Sequence, residues 1–385
     1  MTVATAANTA EQAAVVIVGG GAAGLSAAGA LAHRGIDAVV LEQDEAIGGT
    51  WARRYDRLHL HTMRQFSGLA HFPIPDRYPR YLSRDEVVEY LREYARHFEL
   101  RVVTGTSVRR IAASPANGRA RWVVETSDRS WQSRAIVIAT GQYGRPVVPP
   151  WPGRDTYTGR LTHSVEYRNA APYADQRVLV VGAGNSGAEI ATDLSDHGAA
   201  SVAISVRTPP PIVPRDPFGM PVQRTSILLS ALPEAIANRL GRATARLVIG
   251  DLSRYGMPRG EFAPYSTRRV PLIDVGFVAA LKQGRFAVKQ AVERLTKSGA
   301  AFADGTSESF DAIIAATGFT SGLASLLDAP GVLDEHGEPI VRSGDPTKHP
   351  GLYFNGFVHS LRGHLFEANL ASRRLARHVE RYLRS

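Results

Sequence analysis

The chain has 385 residues, 44% hydrophobic and 21% charged, the composition of a globular protein with room for two or three domains. It contains no cysteine, which excludes disulfides, thiolate-bound zinc, iron–sulfur clusters and dithiol redox chemistry. Its net charge of +9 comes mainly from scattered arginines rather than a basic run, so no nucleic-acid partner is expected.

Residues 1–13 lack the basic and apolar blocks of a signal peptide and read as a disordered tail. No apolar run reaches the ~18 residues of a membrane span, so a cytoplasmic location is expected. Organised structure then begins at Val15. The apolar run Val15 to Val18 meets Gly19, Gly21 and Gly24 in G-x-G-x-x-G spacing, and an Ala/Leu-rich helical stretch follows. A second apolar run, Ala38 to Leu41, ends on Glu42. Strand, tight turn, helix and terminal acid together make a dinucleotide-binding fingerprint. Gly19 permits the turn, Gly21 admits a pyrophosphate, and Gly24 lets helix and strand pack closely. The helix N-terminus offers N–H groups to phosphate, and Glu42 can accept from ribose hydroxyls.

Gly48-Gly49-Thr50-Trp51 is a turn, with Gly49, Thr50 and Trp51 candidates for cofactor contact. Ser83 and Glu86 form a capping-box pattern before a helical period over Arg84 to Phe98. Strand-like runs follow at Leu100–Val103, Val108–Ile111, Arg121–Glu125 and Ala135–Ala139, the last leading into Thr140-Gly141. The proline-rich stretch Pro146 to Gly153 marks a boundary. A second fingerprint then appears: Val178–Val181, Gly182, Gly184 and Gly187, a helical stretch to about His197, and Val202–Val206. Asn185 and Ser186 lie inside its turn, placed either to contact pyrophosphate or nicotinamide ribose or to cap the helix. Ile227 to Ile249 is apolar, interrupted by Pro233 and Gly241, and reads as a cavity lid or core helix. Phe310 to Ala316 leads into Thr317-Gly318, echoing Thr140-Gly141. Gly351–Val358 reads as a strand, and a helix is expected from Gly363 onward.

The acid separates the two nucleotides. Glu42 repels a 2′-phosphate and suits the ribose of FAD or NAD, and the first site reads as FAD, whereas the second unit places Arg207 at the corresponding strand end, with no acid between Asp196 and Asp216. Arginine grips a 2′-phosphate bidentately, so the second site reads as NADPH. The expected fold is α/β, with two Rossmann-like dinucleotide-binding domains. The FAD domain spans 14–150 and 301–385. The NADPH domain, 151–300, is inserted into it and carries a lid at about 210–265.

The chain resembles the class B flavin-containing monooxygenases, and within them the plant auxin-forming (YUCCA-type) group and its bacterial relatives. Tyr157, Gly159, His163 and Tyr167 match the family motif F-x-G-x-x-x-H-x-x-x-(Y/F), with Tyr replacing the first Phe. YDRLHLH (Tyr55 to His61), GAGNSGAEI (Gly182 to Ile190), PLIDVG (Pro271 to Gly276), FDAIIAATGF (Phe310 to Phe319) and GLYFNGF (Gly351 to Phe357) extend the match over nearly the whole chain. Tyr167-Arg168 departs from the Baeyer–Villiger ending of that motif. The resemblance implies that NADPH reduces FAD, that reduced flavin and molecular oxygen give a C4a-(hydro)peroxide, and that NADP⁺ shields it in a dry pocket. One oxygen then passes to a small, largely apolar substrate by N- or S-oxygenation, indole-type ring oxidation or oxidative decarboxylation of an aryl 2-oxo acid.

His61 stands where other branches carry Asn, and is either a donor to the oxygen adduct or NADP⁺, or a structural histidine. His59 and His61 share a face, but no third ligand lies beside them in sequence, so no metal is expected. The competing readings are an NADPH-dependent flavin oxidase or reductase without oxygen transfer, and a non-catalytic nucleotide-sensing flavoprotein. A monomer or homodimer is expected.

Overall fold

The computed structural model describes residues 10–114, 121–265 and 270–385. Its largest sheet runs Leu327–Asp328, Val108–Ala113, Trp122–Thr126, Ser130–Ile138, Glu11–Val18, Ala38–Leu41, Arg101–Val103. The first fingerprint strand lies centrally, parallel to Ala38–Leu41 on one side and to Ser130–Ile138 on the other. Both its faces are covered, which is why Val15, Val16 and Ile17 form an unbroken apolar run and are fully buried. On its other side Ser130–Ile138 serves two further partners: its first half pairs antiparallel with Trp122–Thr126, its second half parallel with Leu352–Phe354.

Helix Ala22–Ala32 and the C-terminal helix His364–Arg384 pack through Ala27, Leu31, Leu375 and Val379. The two ends of the chain thus share one core. Helix Arg84–His97 has the expected capping box, with Ser83 N donating to Glu86 Oε2 at 2.7 Å and Ser83 Oγ accepting from Glu86 N.

The second sheet is entirely parallel, ordered Ala287–Lys289, Ser201–Ser205, Arg177–Val181, Ala312–Ala315, Arg160–His163. This moves a boundary. Residues 301–315 do not return to the first unit, because Ala312–Ala315 pairs directly beside the second fingerprint strand. A small antiparallel sheet, Val292–Thr296, Gly299–Phe302 and Ser307–Ser309, precedes it. The chain crosses between units at two neighbouring places. Phe319 and Thr320 pair with Pro146 and Arg145, Val147 N donates to Gly318 O at 3.0 Å, and Thr317 Oγ1 donates to Val147 O.

Two other expectations change. The first strand begins at Glu11, so residues 11–13 are part of the sheet rather than a tail, held by the pairing of Glu11 with Trp131. Residues 1–9 of that tail lie outside the described residues. The lid stretch is two helices, Val222–Leu229 and Glu234–Val248, parted by Pro233. Gly241 continues the second helix without a break, close against the Tyr265 ring. Among the described residues, no helix is long and apolar enough to cross a membrane.

Candidate cofactor and active site

The first fingerprint turn is shaped by three different constraints. Gly19 has φ +105°, and a Cβ there would lie 2.6 Å from Ala139 O. A Cβ on Gly24 would lie 1.8 Å from Gly19 O, so only glycine lets the helix approach the strand. Gly21 has ordinary extended backbone, and a Cβ there meets nothing within 4 Å. That side of the turn is open, and no side chain caps the helix that starts there. Beside it, Thr140 Oγ1 and Gln142 Oε1 are buried without a partner, and Gly141, at φ +77°, faces open space. An open cradle lined by unsatisfied polar atoms fits a bound dinucleotide.

Glu42 is 8% exposed. Its Oε2 accepts from Gly20 N at 2.6 Å and its Oε1 from Asp44 N at 2.9 Å. Burial raises its pKa, partly offset by those two backbone donors. Gly49 opens a one-turn helix packed on Asp44, where a Cβ would come within 2.3 Å of Asp44 Oδ2. Thr50 is exposed, while Trp51 is half-buried against the cluster around Leu25.

The second fingerprint repeats this geometry. Gly182 has φ +110° and would meet Ala316 O at 2.4 Å; Gly187 would meet Gly182 O at 1.9 Å; Gly184 is open. Ala316-Thr317-Gly318 therefore closes the second turn as Ala139-Thr140-Gly141 closes the first. Gly318, at φ +91°, also faces open space.

Register corrects one expected equivalence. Gly19 N donates to Leu41 O, and Gly182 N to Ser205 O. The residue matching Glu42 is thus Val206, buried at 1% exposure, and the exposed Arg207 follows one position later. The second site still carries no acid at that place. Asn185 neither caps the helix nor points freely into the cradle: its Nδ2 donates to Pro271 O at 3.0 Å and its Oδ1 accepts from Ile273 N at 2.9 Å. It pins the PLIDVG strand against the second turn. Ser186 lies beside the buried Tyr55 phenol.

Glu189, unremarked in the sequence, joins the two units. It lies at 5% exposure on the second fingerprint helix, and its Oε1 is 2.6 Å from His61 Nε2. The buried Tyr55 phenol lies beside the same carboxylate and is pushed well above its ordinary pKa, first by burial and then by Glu189. An acid flanked by small and apolar residues in GNSGAEI was the available signal. A cavity of about 320 Å³ opens here, lined by His59, His61, Glu189, Asp193 and Arg215 among others. His59 itself turns to Arg57 O at 2.7 Å. Among the described residues, no group of three or more His, Asp or Glu is placed to hold a metal ion.

The family motif is architectural. Tyr157 donates to Phe310 O at 2.9 Å, and a Cβ on Gly159 would strike the Tyr157 phenol at 2.2 Å. His163 Nδ1 accepts from Val165 N, which leaves Nε2 to donate to Gly318 O at 3.1 Å. Tyr167 donates to Asp193 Oδ2 at 2.6 Å.

Between the units, Tyr143 stands edge-on to Phe319 at 5.7 Å and hydrogen-bonds His364 Nε2 at 3.1 Å. Burial pulls the His364 pKa down to about 4, so its ring is neutral at pH 7. Beside the lid helices, a cavity of about 520 Å³ lies between Tyr265 of the inserted unit and His359, Leu361 and Arg362 near the C-terminal helix. Gln223, 1% exposed, braces its edge, accepting from Met63 N at 2.8 Å and donating to Arg362 O at 2.6 Å.

Residues 16–213 match the family model described as pyridine nucleotide-disulphide oxidoreductase, although the chain has no cysteine for dithiol chemistry. Among curated proteins, the chain is 37% identical to indole-3-pyruvate monooxygenase YUCCA1 of Oryza sativa subsp. japonica, over 89% of this chain and 86% of that protein. It is 34% identical to indole-3-pyruvate monooxygenase YUCCA6 of Arabidopsis thaliana, over 95% and 90%. Among solved structures, a variant of the flavin monooxygenase from Stenotrophomonas maltophilia superposes with a TM-score of 0.73 at 26% identity, covering 97% of this chain and 99% of that one. The OTEMO complex with FAD and NADP shares the fold, with a TM-score of 0.75 at 18% identity, covering 97% and 86%. Two glycine cradles in one chain, each closed by its own Thr-Gly turn, accord with these relatives. The chain belongs to the class B flavin-containing monooxygenases, in the branch of the YUCCA-type enzymes, and uses FAD and NADPH.

Proposed function

We propose that this monooxygenase converts an aryl 2-oxo acid, with NADPH and molecular oxygen, into the carboxylic acid one carbon shorter, carbon dioxide, NADP⁺ and water. Relatives named as indole-3-pyruvate monooxygenases, matched over most of the chain, support this substrate class. The structural observation behind the reading is the aromatic pair between the units, Tyr143 and Phe319, which meet edge-on just beyond the two Thr-Gly turns. Bound FAD supplies the electron acceptor for NADPH and the centre at which oxygen is activated.

The chain's own residues do the rest. The open faces at Gly21 and Gly184 receive the pyrophosphates of FAD and NADPH, Glu42 takes the FAD ribose, and Arg207 takes the 2′-phosphate. Gly49, Gly19, Gly24, Gly182 and Gly187 shape the backbone, while Thr140, Gly141, Thr317 and Gly318 border the cofactors. Glu189 holds His61 by Nε2, and the opposite nitrogen, Nδ1, has no partner among the described residues. His61 thus presents a proton donor or acceptor on a fixed ring.

NADPH consumption with amines, sulfides, indoles and aryl 2-oxo acids, scored by product mass, tests the proposal. Release of carbon dioxide from a 2-oxo acid supports it. A product carrying one added oxygen from another class replaces it, and NADPH oxidation yielding only hydrogen peroxide identifies an oxidase.

A further inference from the structure

Seven arginines lie between Arg53 and Arg84, and six of them have carboxylate partners: Arg53 with Asp44, Arg57 with Asp193 and Asp196, Arg64 with Asp76, Arg77 with Glu93, Arg80 with Asp216, Arg84 with Asp56 and Asp85. Arg54 is the seventh. Its guanidinium meets no carboxylate or hydrogen-bond acceptor among the described residues and instead lies over the Phe319 ring, 5.0 Å from the centroid. We propose that Arg54 is the substrate's carboxylate-binding residue, clamping a planar 2-oxo acid head group while the aryl group lies along Tyr143 and Phe319. The inference rests on the 2-oxo acid reading above.

Three observations carry it. First, an unpaired, half-buried guanidinium is costly, and one aromatic face offsets only part of that cost. A bidentate carboxylate supplies the missing charge and two acceptors. Second, the backbone that carries Arg54 is fixed. Arg54 O accepts from Arg84 Nη1 at 2.9 Å and from Arg168 Nη1 at 3.0 Å, and the next residue, Tyr55, is buried. Such anchoring suits a recognition residue better than a mobile surface arginine. Third, its surroundings belong to the junction of the units. Tyr143 and Phe319 follow the two Thr-Gly turns, and Tyr143 is held by His364. None of these residues belongs to a glycine cradle, where the cofactor phosphates are received.

A free carboxylate and a nucleotide phosphate share the chemistry that Arg54 recognises, so the test separates them. The FAD-loaded protein, without NADPH and therefore without turnover, is titrated with phenylpyruvate, with methyl phenylpyruvate and with NADP⁺, reading the flavin absorbance change or the heat of binding. The wild type should bind phenylpyruvate at least about tenfold more tightly than its neutral ester. Arg54→Gln should weaken phenylpyruvate binding by about 10- to 100-fold, equivalent to about 1.4–2.8 kcal/mol, and leave the ester and NADP⁺ within about twofold. Arg54→Lys should recover part of the loss, since it keeps the charge without the fork.

Equal affinity of the wild type for acid and ester overturns the inference, even where Arg54→Gln fails to fold. So does a variant that loses NADP⁺ affinity while still binding phenylpyruvate normally, which assigns the cation to the cofactor. If the wild type binds neither acid nor ester, the 2-oxo acid reading itself fails, and the role given to Arg54 falls with it.

Discussion

His61 and Glu189 meet across the two units, with Nε2 and Oε1 2.6 Å apart. His61 comes from the loop after the first fingerprint, Glu189 from the helix of the second. The pair makes the placement of the histidine depend on the seating of the NADPH unit against the FAD unit. A charge-assisted bond in this partly buried setting is worth about 1.5–3 kcal/mol. A double-mutant cycle of His61→Gln and Glu189→Gln, read by chemical denaturation, should give a coupling in that range. Both variants should keep FAD bound, and both should form less product per NADPH consumed. Zero coupling with unchanged yield rejects the role.

The glycines of one fingerprint should separate into two classes. A Cβ on Gly24 runs into Gly19 O, whereas one on Gly21 meets nothing within 4 Å. Gly24→Ala should therefore destabilise the protein by several kcal/mol, on the order of an overpacked core. Gly21→Ala should leave the apoprotein within about 1 kcal/mol of the wild type, the usual cost of alanine at a helix start, and yet weaken FAD binding. Comparing denaturation midpoints of the apoproteins with FAD dissociation constants checks both. Equal stability losses in the two variants contradict the assignment of Gly21 to the ligand.

Arg207 is exposed, one position beyond the structural counterpart of Glu42. If it receives the 2′-phosphate, Arg207→Gln should raise KM for NADPH by about tenfold or more, as expected for loss of a bidentate phosphate contact. KM for NADH should stay near its original value and kcat should be unaffected. Steady-state kinetics with the two nucleotides measures the ratio, and an unchanged preference for NADPH moves the discrimination to another residue.

His364 sets a pH dependence. Its folded pKa of about 4 lies below the ordinary 6.5, mainly because of burial, with His359 adding to the depression. The unfolded chain then binds more protons than the folded one between these values. Stability from this group is fully present above pH 6.5 and is lost as pH falls from 6.5 toward 4. His364→Asn should flatten the decline in denaturation free energy across that window. A variant with the wild-type slope shows that other groups produce the acid sensitivity.

Much of the architecture is local and was legible in the sequence. Glycine spacing depends on backbone contacts within a single strand–turn–helix unit, so Gly19, Gly21 and Gly24 and their second copies could be read directly, as could the Ser83–Glu86 capping box. The echo of Thr140-Gly141 in Thr317-Gly318 was visible too, although the structure shows that each turn closes its own fingerprint. Other features depend on what the chain brings together. The boundary near residue 300 failed because pairing of Ala312–Ala315 beside Arg177–Val181 is a long-range choice of strand order. The one-position offset between Val206 and Arg207 needed the register of Ser205 against Val181.

The sequence by itself determined two dinucleotide units, one ending in an acid and the other without one, because glycine spacing and the presence or absence of one acid act within a single supersecondary unit. The tertiary structure alone decided that Glu189 holds His61 and that Arg54, among seven nearby arginines, lacks a carboxylate among the described residues. Ion pairing and burial are set by residues distant in the chain, and no local pattern records which charge is left without its partner.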